Sequence, residues 1–110
     1  MKNLLSQKCQ ANLTTAAKIE PDEVNQYLQQ LNDWQISANG QSIIRRFSFK
    51  NFKQTMFFIN ALAFICEKEG HHPDAGFSFG YCEVSFTTHD SGGLSLNDFI
   101  CAAKLDQLIA

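Results

Sequence analysis

NFKQTMFFINALAFICEKEG, residues 51–70, is the stretch on which the fold turns. Asn51 can cap a helix with its side-chain oxygen, and Gly70 supplies a stop where the chain can turn left-handed. Between them Phe52, Met56, Ile59, Ala63 and Cys66 step by four and three residues, a stripe expected to face the core. Phe57, Phe58, Ala61, Leu62 and Ile65 form a second apolar stripe, more than a one-sided helix requires in a small domain, and self-association is the simplest reason for it.

On either side of this helix the hydrophobic period changes from helical to alternating. Upstream, Pro21 opens a helix with Asp22 and Glu23 at its positive end, and Val24, Tyr27, Leu28 and Leu31 recur at helical spacing. Trp34-Gln35-Ile36 then alternates, residues 38–41 have turn chemistry, and Ser42 to Phe49 is rich in β-branched and aromatic residues, which reads as a β-hairpin. Downstream of Pro73, Phe77 to Thr88 alternates again across Gly80, as a second hairpin or one bent strand. After a loop at 89–93, Ser95 begins a last helix with Asp98 in its first turn.

The order is α-β-β-α-β-β-α. Strand pairs joined by short turns imply antiparallel pairing, so the expected fold class is α+β: two layers, a four-stranded antiparallel sheet with three helices on one face. A chain of 110 residues is the size of a single domain, 1–110, with residues 1–20 read as a flexible N-terminal arm because they lack periodicity.

Composition narrows the function. Hydrophobic residues at 45% against charged residues at 18% describe a chain that folds. A formal charge of −2 offers no broad attraction to nucleic acid or an anionic membrane. No segment approaches a membrane span, the first residues lack the apolar run of a secretory signal, and Cys9, Cys66, Cys82 and Cys101 form no paired framework. A reducing compartment and a cytoplasmic location are expected.

All three histidines stand where elements end: His71 and His72 after a helix, His89 after a strand. Loops on a rigid scaffold are where reactive groups are presented, and imidazole exchanges protons near neutral pH, with an unperturbed pKa of about 6.5. Any one alone reads as a solvated loop residue; three at element ends, flanked by acids and glycines, read as acid–base groups. Zinc is disfavoured: adjacent histidines tend to point to opposite sides of an extended chain, and neither a helical i, i+4 pair nor a cysteine knuckle is present. Cys66 and Cys101 on apolar helix faces and Cys82 in a strand read as core rather than as nucleophiles. Gly92-Gly93 matches no phosphate-binding fingerprint, and Arg45-Arg46 reads as a solvated edge or one half of an ion pair.

Glu67-x3-His71-His72-Pro73, followed by Phe79, His89 and Asp98 after intervals of five, nine and eight residues, resembles the signature of the pterin-4a-carbinolamine dehydratase family. Thr88-His89-x3-Gly93-Leu94-Ser95-x2-Asp98, Asp33-Trp34, Arg46-Phe47-x-Phe49 and Asn51-Phe52 extend the likeness over roughly residues 21–108. One departure is Phe79, where many relatives carry tyrosine. The resemblance implies a dehydratase that eliminates water from a 4a-hydroxytetrahydropterin, linked to an aromatic amino acid hydroxylase. It also implies a homodimer or homotetramer.

On that footing His71 and His89 are expected as the acid–base pair, with His72 holding substrate and sharing in proton transfer. Pro73, Thr88, Asp90 and Ser91 join the three histidines as expected contacts to the pterin. Glu67 could orient an imidazole, Asp98 is read as a helix N-terminal charge that steadies the His89 loop, and Trp34 either lines the ring or fills the core. No redox cofactor is called for, since the reaction transfers no electrons, and neither a metal nor a nucleic-acid or membrane partner is expected. The competing expectation is a non-catalytic dimerisation or coactivator module on the same fold.

Overall fold

The computed structural model describes residues 3–11 and 17–110; the parts of the expected arm at 1–2 and 12–16 lie outside the described residues. Helix α1 spans Pro21–Leu28, strands β1 and β2 span Gln35–Ile36 and Ile43–Ser48, α2 spans Phe52–Glu69, β3 and β4 span Asp74–Ser78 and Tyr81–Phe86, and α3 spans Leu96–Gln107. The four strands form one antiparallel sheet in the order β1-β2-β4-β3. The α+β class and the α-β-β-α-β-β-α order read from sequence are those of the structure, and the second alternating stretch is a hairpin.

Strand alternation fixes which side of the sheet is covered. Cys82, Val84 and Phe86 of β4 and Ile43 and Phe47 of β2 are fully buried under the helices. The opposite face is polar: Arg46 pairs with Glu83 across the β2–β4 ladder at 3.3 Å and lies over the Tyr81 ring at 4.0 Å. Arg45, its neighbour, points into the core side, where it meets Asp106 at 2.7 Å. Asp106 also accepts from Trp34 Nε1 at 2.8 Å and from the Asn32 N–H at 2.9 Å, so this buried carboxylate is fully met. Trp34 is core, packed between Phe47 and Phe86.

Helix α2 begins and ends where Asn51 and Gly70 dictate. Asn51 Oδ1 accepts from the Gln54 N–H at 2.8 Å. At the other end Gly70, at φ 71°, donates to the Glu67 carbonyl, and the His71 N–H reaches back to that of Cys66 at 3.2 Å. This is a Schellman stop, and it sets the position of His71.

The core-facing stripe of α2 is rotated from the expected one: the buried residues are Thr55, Phe58, Leu62 and Cys66, while Phe52 and Ala63 are exposed. Thr55 takes a core position because its hydroxyl lies 2.9 Å from the Phe79 carbonyl, tying the helix to the β3–β4 turn. Phe57 and Phe64 point outward, 65% and 70% exposed.

Helix α3 is enclosed along almost its whole length, with Tyr27 of α1 packed on Phe99 at 5.4 Å. The remaining cover is the stretch before Pro21. Leu4 is buried, the Cys9 N–H donates to Glu69 Oε1 at 2.8 Å, and Gln10 and Asn97 exchange two hydrogen bonds at 2.8 and 2.9 Å. The described part of the arm is thus fastened to α2 and α3 by amides and one carboxylate.

Candidate active site

The Schellman turn delivers His71 onto the β4 edge of the core, where its ring stacks on Phe86 at 5.9 Å between centroids and is 12% exposed. Its Nε2 lies 2.6 Å from Asp98 Oδ1. Asp98 is completely buried, and its second oxygen accepts from Thr88 Oγ1 at 2.8 Å and from the Ser95 N–H at 3.0 Å. Ser95 and Asp98 thereby form the capping box of α3. A carboxylate only accepts, so Nε2 of His71 carries a proton and, in the neutral ring, Nδ1 holds the free lone pair.

Thr88 connects this pair to the third histidine. Its hydroxyl also meets Ser95 Oγ at 2.7 Å, and its backbone N–H and carbonyl bond those of Gly93 at 3.1 and 3.3 Å. Residues 88–93 are therefore closed at the base by two reciprocal bonds. Inside the closure His89–Ser91 make a short 3-10 turn, and Gly92, at φ 75°, supplies the left-handed step that returns the chain. His89 is held exposed on this small loop, one residue from a side chain that touches Asp98.

His72 turns the other way. It is 63% exposed and its Nε2 meets Glu67 Oε2 at 3.0 Å. The imidazole that Glu67 orients is thus that of His72, and the carboxylate that orients His71 is Asp98, which also caps α3 and braces the Thr88 segment leading to His89.

The other expected contacts separate by burial. Asp90 is exposed and Pro73 half-buried at the site rim. Thr88 and Ser91 are buried; the Thr88 hydroxyl is engaged by Asp98 and Ser95, while Ser91 Oγ, 0% exposed, has no protein partner. Trp34 lies one ring behind, in contact with the Phe86 on which His71 stacks. Two residues not singled out for the site belong to it: Ser95, foreshadowed by the Ser-x-x-Asp pattern of a capping box, and Phe86, for which alternation gives burial but no hint of a histidine above it. Among the described residues, no three His, Cys, Asp or Glu side chains are grouped to hold a metal ion, and no helix is long and apolar enough to cross a membrane.

Fold and site together define a small α+β protein with a histidine–carboxylate pair and two exposed imidazoles at neighbouring chain turns. The pterin 4 alpha carbinolamine dehydratase family model matches residues 17–108, and the chain belongs to that family. A Legionella pneumophila (strain Corby) protein provisionally named a pterin-4-alpha-carbinolamine dehydratase is 44% identical over 108 residues, 97% of this chain and 96% of that one. A Nitrosomonas europaea protein of the same provisional name is 45% identical over 107 residues, covering 96% and 93%. Among solved structures, a transcriptional coactivator/pterin dehydratase from Brucella melitensis superposes with a TM-score of 0.81 at 28% identity, over 84% of this chain and 99% of that one. A pterin dehydratase-like RuBisCO assembly factor of the alpha-carboxysome gives 0.63 at 26%, over 72% and 92%.

Proposed function

We propose that the protein eliminates water from a 4a-hydroxytetrahydropterin, giving the quinonoid dihydropterin, by histidine acid–base catalysis. The observation that carries this reading is the His71–Asp98 pair at 2.6 Å, a geometry that fixes one tautomer and one orientation of an imidazole. Elimination requires a proton delivered to the departing 4a oxygen and another taken from the ring-nitrogen side. His71, with Nε2 committed to Asp98, exchanges its proton through Nδ1; His89, on the loop that Thr88 ties to the same carboxylate, serves the other side of the ring.

His72, oriented by Glu67, holds the substrate at the solvent edge and shares in proton transfer. Pro73, Asp90 and the backbone of residues 88–91 complete the contacts; the buried Thr88 and Ser91 side chains act from beneath. Each acid or base group typically contributes 10²–10⁴-fold, sufficient for a carbinolamine that already loses water slowly unaided. The step moves no electrons, so no cofactor is invoked, and the pterin is the substrate. We place the enzyme in the cytoplasm, in recycling of a reduced pterin used by an aromatic amino acid hydroxylase.

The outward phenylalanines Phe57 and Phe64 favour one further reading, self-association through α2 as a homodimer or homotetramer, and the same face would serve a non-catalytic coactivator module. Stopped-flow dehydration of freshly generated carbinolamine separates these readings. His71→Ala and His89→Ala should each lower the rate at least tenfold with the circular dichroism unchanged. Near-native turnover in either variant removes that residue from the mechanism; a folded parent protein with no rate enhancement gives the fold to the coactivator reading.

A further inference from the structure

Three of the four free cysteines, none of which the acid–base chemistry uses, meet behind the His71 turn. Cys9 comes from the N-terminal arm, Cys66 from the last turn of α2 and Cys101 from the middle of α3. The Cys9 and Cys101 sulfurs are 3.5 Å apart, the Cys101 Sγ lies 4.0 Å from the His71 carbonyl oxygen, and Cys66 is close enough to Cys101 to influence its ionisation. Cys66 and Cys101 are buried, whereas Cys9 is partly open to solvent.

Cys9 is held there from both sides. Its own N–H is bonded to Glu69, which Lys104 fixes at 2.8 Å, and the next residue, Gln10, is bonded twice to Asn97. Packing alone needs a small apolar group at each position; it does not need three sulfurs from three segments in contact.

We propose that Cys9 and Cys101 form a reversible dithiol, which a peroxide-class oxidant converts into a disulfide that fastens the arm to α3. The accessible Cys9 sulfur attacks one peroxide oxygen; the O–O bond breaks, an S–O bond forms and the first water leaves, giving the sulfenic acid. The Cys101 sulfur then attacks the Cys9 sulfur, the S–S bond forms, and the S–O oxygen departs with the Cys101 proton as a second water. The two sulfurs lose two electrons and the peroxide gains them. The sulfurs need to close from 3.5 Å to about 2.05 Å to bond. The neighbouring Cys66 and Cys9 thiols, with burial, push the Cys101 thiol above its ordinary range. In a reducing compartment such a pair rests as thiols and responds to oxidant.

This inference stands apart from the dehydratase reading, because its test counts thiols and not turnover. The purified protein is exposed to hydrogen peroxide, its free thiols are titrated, and it is digested and mapped without reductant. Two of the four thiols should disappear, a peptide joining Cys9 to Cys101 should appear, and dithiothreitol should reverse both; Cys9→Ser should keep its three thiols under the same exposure. Retention of all four thiols, sulfinic acid at Cys9 without a cross-link, or a bridge between two chains would overturn the proposal. Should Cys9→Ser not fold, the peptide map of the parent protein decides alone.

Discussion

Asp98 Oδ1 receives Nε2 of His71 at 2.6 Å while Oδ2 of the same carboxylate caps α3 through the Ser95 N–H at 3.0 Å. One side chain therefore orients the imidazole and starts the helix. Asp98→Asn keeps the shape but has one acceptor oxygen where the carboxylate uses two, so an NH2 group faces either His71 or the Ser95 N–H. Dehydration is expected to fall by about 10- to 1,000-fold, with stability lowered by about 1–3 kcal/mol for the disturbed buried bonds. Stopped-flow rates and urea unfolding on the same preparation check both.

Gly70 sits at φ 71°, in the conformation that ends α2 and aims His71. Gly70→Ala meets open space around the new methyl, so any cost is conformational. A loss of about 1–2 kcal/mol is expected, together with a drop in dehydration larger than that loss explains, since the imidazole is displaced with the turn. Thermal melts and kinetics of the variant measure the two effects.

Asp106 is buried beneath Trp34 and Arg45. Removing the guanidinium in Arg45→Met leaves a buried carboxylate with only two N–H partners. About 3–5 kcal/mol of destabilisation is expected in urea titration. Arg45→Lys should recover only part of it, because the Phe47 ring contact at 4.2 Å depends on the planar guanidinium.

Burial pushes the Glu69 carboxyl up, but the hydrogen bond and charge of Lys104 and the Cys9 N–H outweigh it and hold the group below its ordinary range. A depressed folded value means that Glu69 contributes stability above its unfolded pKa, and that this is lost as pH falls through the folded one. The protection of the Cys9 and Gln10 amides, corrected for the intrinsic exchange rate at each pH, should therefore fall as pH drops below the ordinary glutamate range. Glu69→Gln should show fast exchange there already at neutral pH.

Phe57 and Phe64 lie seven residues apart on one exposed side of α2. If this side joins copies of the chain, Phe57→Asp with Phe64→Asp should reduce the mass seen by light scattering to that of a monomer at unchanged helical content. An unchanged assembly would place the contact elsewhere.

Much of this fold is written in short-range chemistry. Asn51 and Gly70 mark both ends of α2, and the alternation of Cys82, Val84 and Phe86 marks the covered face of β4. What escaped was what depends on distant partners. The core stripe of α2 misleads because apolar residues ring the helix, and the position that tips the choice, Thr55, is polar and satisfied by a carbonyl 24 residues away. The docked segment 3–11 carries no periodicity because a single buried leucine, Leu4, and hydrogen bonds to Glu69 and Asn97 hold it, not a repeating apolar face.

The site was legible in its cast and not in its pairings. Position at element ends brought the three histidines forward and likeness to the family signature added Glu67 and Asp98, but which acid serves which ring is decided by the direction in which the Gly70 turn releases the chain. Thr88 and Ser91, one and two residues from His89 in sequence, face inward because the reciprocal Thr88–Gly93 bonds roll the loop over them.

The sharing of Asp98 has a consequence for how the molecule would fail. Fraying of the first turn of α3 frees the carboxylate to rotate toward water, and His71 loses its alignment while the sheet is still whole. Heat or denaturant should silence such a molecule well before it melts it, so the opening of that one turn, and not global unfolding, would set its working ceiling.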